Sequence, residues 1–204
     1  MFKFIGKLLL LVAFAGVILW GVSIYQSKTV LQEDVIRLHI IANSDSEEDQ
    51  SEKLKVRDGV LAYIQEEIRK LPSSEEAEVY IRNKLEEIET VANQILEENG
   101  SGHIAKVKLA LEEFGKRVYD TFSLPSGVYK ALQIEIGEAE GKNWWCVVFP
   151  GLCIPTTESE FQDVAASAGF QDTVIETISN DNNYKIRFFV LDLWGKVENF
   201  FFKR

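Results

Sequence analysis

An α+β domain, with a mostly antiparallel sheet covered by a helical hairpin and an N-terminal membrane-targeting helix ahead of it, is the fold class this chain predicts. Three features carry that reading. Leu8 to Tyr25 is a run of eighteen uncharged residues behind Lys3 and Lys7. Two long amphipathic stretches, each opened by a capping box, are separated only by Pro72-Ser73-Ser74. Several shorter stretches alternate apolar and polar residues with the period of a half-buried strand.

The uncharged run is longer than an ordinary signal-peptide core and close to the ~20 residues that span a bilayer. Basic residues before it keep the N-terminus in the cytoplasm and export the rest of the chain. The expected division is a signal peptide or signal anchor over 1–27 and an exported α+β domain over 28–204. Whether the first segment is cleaved stays open, since Gly21-Val22-Ser23 is a weak cleavage pattern.

Asp34 to Ala42 reads as the first strand, with Ile36, Leu38 and Ile40 on one face and Val35, Arg37, His39 and Ile41 on the other. Asn43-Ser44-Asp45 breaks it. Ser46 with Asp49 forms a capping box, so a helix begins near Glu47 and runs to about Leu71 on a stripe of Leu54, Leu61, Ile64, Ile68 and Leu71. Ser73 with Glu76 opens the second helix, which ends at Asn99-Gly100 and carries Ala77, Ile81, Leu85, Ile88, Ala92 and Ile95. The short connection makes the pair an antiparallel hairpin. His103 to Phe114 and Val128 to Glu138 alternate as strands, and Gly137 to Asn143 is a turn. Beyond Pro155, Thr157 and Glu160 cap a short helix to about Ala168; Tyr184 to Leu193 reads as a last strand and Trp194 to Phe201 as a terminal helix.

The formal charge is −10, and Asp45 to Glu98 holds 16 acidic residues against 7 basic ones. Such a balance argues against a nucleic-acid partner, which would call for a basic stripe; solvated helix faces account for it. Export would let the two cysteines, Cys146 and Cys153, persist as a disulfide. Phe149-Pro150-Gly151-Leu152 reads as a type II turn. In a hairpin continued from it, the cysteines would be diagonal partners about 7–8 Å apart, at the limit of a disulfide. A bond and two buried thiols both remain open.

Trp144 to Phe149 is apolar at every position, so alternation alone cannot assign an inside and an outside; a covered central strand and a strand with one face kept for a partner both fit. Gly141 to Cys153, which contains this run, resembles the signature of the stage II sporulation protein R family. Two further segments resemble the family: Arg37-Leu38-His39-Ile40-Ile41-Ala42-Asn43-Ser44-Asp45-Ser46 and Leu124-Pro125-Ser126-Gly127-Val128-Tyr129-Lys130-Ala131-Leu132. Gly151 stands where the family often has a second proline. The resemblance implies an intercompartmental signal, made in the forespore and exported across its membrane into the intermembrane space. There it would activate a membrane-embedded aspartic protease of the mother cell, of the stage II sporulation protein GA type, which processes pro-sigma-E. It implies neither an enzyme nor a cofactor nor a small-molecule substrate.

Residues weighed as partner-binding are Trp144 with its polar rim Lys142 and Asn143, Pro125 and Tyr129 of the neighbouring turn, and Arg37, His39, Asn43 and Asp45 as an exposed polar patch. In this reading Trp144 docks while Trp145 fills the core. For Arg37, Asn43 and Asp45 an ion pair and a simple chain reversal are the structural alternative. No stretch of the chain carries a catalytic pattern. Gly137 to Asn143 lacks the spacing and the Ser or Thr of a phosphate loop. Asp120-Thr121-Phe122 has Phe122 where an aspartic-protease loop needs glycine. His39 and His103 lack the ligand spacing of a zinc site, and an apolar strand does not activate Cys146. The rival from another class is an exported envelope glycan-binding module or hydrolase, stacking Trp144 and Trp145 on sugar rings beside Glu135, Glu138 and Glu140.

Overall fold

The computed structural model describes residues 14–16, 31–153, 158–170, 175 and 179. The predicted strand over 184–193, the terminal helix after it and most of the run 8–25 lie outside these. Among the described residues no helix is long and apolar enough to cross a membrane.

The chain order is β1 (Ile36–Ile41), α1 (Glu47–Ile68), α2 (Ser74–Glu98), β2 (Ala105–Phe114), β3 (Arg117–Val118), β4 (Ser123–Leu124), β5 (Gly127–Ile136), β6 (Asn143–Phe149) and α3 (Glu158–Ser167). Four strands form a sheet in the order β2-β5-β1-β6. β2 with β5 and β1 with β6 are antiparallel; only the central pair, β1 with β5, is parallel. The expected α+β class with a mostly antiparallel sheet is therefore the observed one.

Both capping serines act as expected: Ser46 Oγ accepts from Asp49 N–H and Ser73 Oγ from Glu76 N–H. Gly100 takes φ 73° after α2, a conformation open to glycine without a steric penalty. The helices lie on one face of the sheet and bury Ile36, Leu38, Ile40, Leu132, Ile134 and Ile136 against Val56, Val60, Ile64, Ile81, Ile88 and Ala92. The stripe of α1 is not quite the predicted one. Leu54 is exposed, and that end of the helix buries Glu52 and Lys53 instead. Their neighbours explain it: Lys53 Nζ donates to the Lys142 carbonyl, and Glu52 accepts from the Ser101 hydroxyl.

The second face is covered as well. Val35, Phe114, Tyr129, Ala131 and Val147 pack there with Phe122, Leu124 and, from α3, Phe161 and Ala165. The sheet is thus the middle of three layers. Along β6 the faces alternate until a bulge: Arg37 pairs with Val147, but Ile36 pairs with Phe149. The extra residue rotates Phe149 onto the helix side, away from the face it would share with Trp145 and Val147 by simple alternation.

Candidate functional site

The two longest sequence motifs meet at one end of the sheet. The Asn43 carbonyl accepts from Glu140 N–H and the Ala42 carbonyl from Gly141 N–H. Side chains add to the clasp: Asn43 Oδ1 accepts from Glu138 N–H at 3.0 Å and Asp45 Oδ1 from Lys142 N–H at 2.7 Å. Asn43, Asp45 and Lys142, weighed separately as partner contacts, are brought together here and serve to fasten the turn before β6.

Asp49 anchors the clasp from below. Its carboxylate accepts from Asn43 Nδ2, from the Ser44 hydroxyl and from His103 Nε2. The Ser44 and Asn43 donors hold its pKa at about 2, against an opposing push from burial. Sequence reasoning saw Asp49 only as a capping-box residue; the other contacts come from loops it could not place. Asp49, Glu52 and His103 also present donor atoms within 4.8 Å of one another. Hydrogen bonds already engage Asp49 and Glu52, so the trio is complete as a polar cluster. Because the folded pKa of Asp49 is depressed, its contribution is present above the unfolded value near 3.8 and is lost as pH falls towards about 2. Asp49→Asn is expected to lower stability at neutral pH by about 1–2 kcal/mol, a figure reduced for solvent screening. Urea titrations at several pH values check this; an unchanged acid profile between pH 4 and 2 counts against it.

The expected exposed patch of Arg37 and His39 is instead buried, Arg37 at 0% and His39 at 7% exposure. The reason is the layer that covers the second face of the sheet. Arg37 lies 3.9 Å over the Phe114 ring and 5.1 Å from that of Tyr129, and its Nη2 donates to the Tyr119 hydroxyl at 2.8 Å. Burial lowers its pKa, which Tyr119 and Tyr129 partly restore. Tyr129 donates to the Pro125 carbonyl, so Pro125, Tyr129 and Arg37 form one group. His39 forms a second: its ring nitrogens meet Glu112 Oε2 at 2.6 Å and Asn143 Oδ1 at 2.7 Å, and its ring stacks on Trp145 at 3.8 Å.

The two tryptophans leave β6 on opposite faces. Trp144 packs with the helix-side core, under the Arg57 guanidinium at 4.2 Å. Trp145 packs with the second core, edge-on to Phe114 at 4.9 Å and beneath Arg117 at 5.0 Å. Each is half-buried. A groove of about 530 Å³ runs along this strand, walled by Arg57, Tyr119, Phe122, both tryptophans and the cysteine pair. Sequence reasoning missed Arg57, Glu112 and Arg117, which come from distant segments and carry no local motif.

Cys146 and Cys153 are bonded, with Cα atoms 5.1 Å apart. The expected type II turn is corrected. Leu152 N–H bonds to the Val147 carbonyl, so the chain folds back more tightly than a continued hairpin. The bond closes a loop with a sequence separation of only 7, so reduction is expected to cost about 2 kcal/mol in the chain-entropy model. Alkylation with and without reductant, followed by thermal melting, tests this; free thiols in the unreduced protein would refute it.

These features define an α+β domain in which distant motifs are locked together beside the edge strand of a three-layer sandwich. The chain belongs to the stage II sporulation protein R family, a family of sporulation signalling proteins: residues 32–159 match that family. It is 36% identical over 155 residues to Stage II sporulation protein R of Bacillus subtilis (strain 168), covering 74% of this chain and 69% of that protein. No solved structure matches.

Proposed function

We propose that this protein is exported across the forespore membrane by residues 1–27, with 8–25 as the membrane segment, and acts as a ligand in the intermembrane space. It activates a membrane-embedded aspartic protease of the mother cell, of the stage II sporulation protein GA type, and so triggers processing of pro-sigma-E. Membership of the stage II sporulation protein R family carries this reading. As a ligand it works by binding the active form of the protease better than the inactive one.

The glycan reading is disfavoured by one observation. Trp144 and Trp145 point to opposite faces of β6 and pack into different cores, so they do not form one stacking platform. Of the nearby carboxylates, Glu135 is paired with Lys108 at 2.9 Å. Co-expression of the protease and pro-sigma-E in a heterologous bacterium, with and without the full chain, tests the proposal. Cleavage is expected only with the exported chain. Cleavage without it, or none with it, overturns the proposal, and release of muropeptides from peptidoglycan would favour the rival.

A further inference from the structure

Of the two histidines in the chain, His39 is the buried one. β1 sets it in register with Gln133 of β5 on one side and Trp145 of β6 on the other. Both of its ring nitrogens meet oxygen: Nδ1 lies 2.6 Å from Glu112 Oε2 on β2, and Nε2 lies 2.7 Å from Asn143 Oδ1 at the start of β6. The ring is stacked on Trp145 with an interplanar angle of 15°, which keeps it from turning away from either partner.

An ionised carboxylate only accepts, so Nδ1 carries a proton. Nε2 has a choice, because the amide opposite it has an acceptor on one corner and a donor on the other. With Oδ1 inward, as the structure has it, Nε2 donates and the ring is an imidazolium. With Nδ2 inward, Nε2 accepts and the ring is neutral. One packing therefore serves both charge states, provided the amide turns over between them. The charged groups that face the ring are of opposing sign. Glu112 comes from β2, with its second oxygen buried and unpartnered. Arg37 lies two residues back on the same face of β1, and Arg117 of β3 lies 5.0 Å over the Trp145 ring. Gln133 is neutral, and beside it Lys108 and Glu135 pair with each other at 2.9 Å.

The amide is free to turn while its backbone is not. Asn143 is exposed, and its Nδ2 has no bond among the described residues. Its main chain pairs with Ile41, and the preceding residue is pinned by Asp45 at the Lys142 N–H and by Lys53 at the Lys142 carbonyl.

We propose that His39 and Asn143 form a proton-operated switch, in which gain or loss of the Nε2 proton turns the Asn143 amide over and exchanges a donor for an acceptor on the surface next to Trp144. With the proton on, Nδ2 faces outward; with the proton off, Oδ1 does. An acceptor brought to that point by a partner is matched in the first state and meets another acceptor in the second, so binding there follows the charge on a buried ring. The switch belongs to the fold and does not depend on which partner the protein has.

The test is a pH titration of the full chain, labelled with nitrogen-15 in detergent micelles, by NMR between about pH 5 and 9. Long-range proton–nitrogen correlations tell a protonated ring nitrogen from a bare one, and contacts with Trp145 identify the His39 ring. Nδ1 is expected to keep its proton throughout while Nε2 loses its own as pH rises. The Asn143 side-chain amide signals are expected to move with the same midpoint, and their through-space contact with the ring to strengthen on the alkaline side. Asn143→Asp, which offers an acceptor whichever way it turns, is expected to move that midpoint alkaline by about one pH unit, a roughly tenfold gain in proton affinity. Four results overturn the proposal: a ring that keeps one state across the range, loss of the Nδ1 proton first, an Asn143 amide indifferent to the midpoint, or an unmoved midpoint in Asn143→Asp. The first three are read on the unaltered protein, so they decide the matter even if the variant folds poorly.

Discussion

Replacing Trp145 with alanine is expected to lower the unfolding free energy by about 3 kcal/mol, the lower end of the range for a buried tryptophan because this ring is only half covered. The loss has three parts. The ring stacks on His39 at 3.8 Å, stands edge-on to Phe114 at 4.9 Å and carries Arg117 above it. Without it His39 loses the surface that holds its ring between Glu112 and Asn143. Trp144→Ala is expected to cost less, about 1–2 kcal/mol, because beside its place on the helix-side core that ring meets only the Arg57 guanidinium, whereas Trp145 also meets His39 and Phe114. Urea denaturation compares the two. In the co-expression assay Trp144→Ala should stay folded and fail to activate the protease. Equal destabilisation by both substitutions, or normal activation by a folded Trp144→Ala, removes Trp144 as an anchor.

Gly141→Ala is the second large effect. A Cβ at Gly141 would sit 2.2 Å from the Ser44 carbonyl oxygen and 2.6 Å from its carbon, both backbone atoms. A side chain can swing aside; this carbonyl cannot, because the bonds from Glu140, Gly141 and Lys142 to residues 42–45 fix the same stretch. The expected loss is about 3 kcal/mol, at the upper end of overpacking costs. The contrast is Gly102→Ala, where nothing lies within 4 Å of the added carbon. A melting temperature for Gly141→Ala as high as that of Gly102→Ala would show that the clasp yields easily.

Periodicity made most of the fold legible. The faces of β1, the two capping serines and the end of α2 follow from residues within a few positions of one another, and each stands as read; in β2, by contrast, Leu111 is exposed. Phe149 is the instructive exception: alternation put it with Trp145, and a bulge against β1 turned it over. A bulge is decided by the partner strand, and a single stretch holds no record of it.

The candidate site divides in the same way. Sequence alone determined that Asn43 to Asp45 ends the first strand and that Gly141 to Cys153 resembles the family's signature. Only the tertiary structure decided that Arg37 and His39 are buried, since the covering layer comes from residues 114–129 and α3. It alone decided the Cys146–Cys153 bond, because a tight reversal after β6 replaces the expected diagonal with a 5.1 Å approach. The groove likewise joins Arg57, Tyr119 and Trp145, residues from a helix, a loop and a strand. The physical reason is range. Propensity, capping and alternation are properties of neighbouring residues, whereas burial, pairing partner and free edge depend on which distant surface reaches a position first.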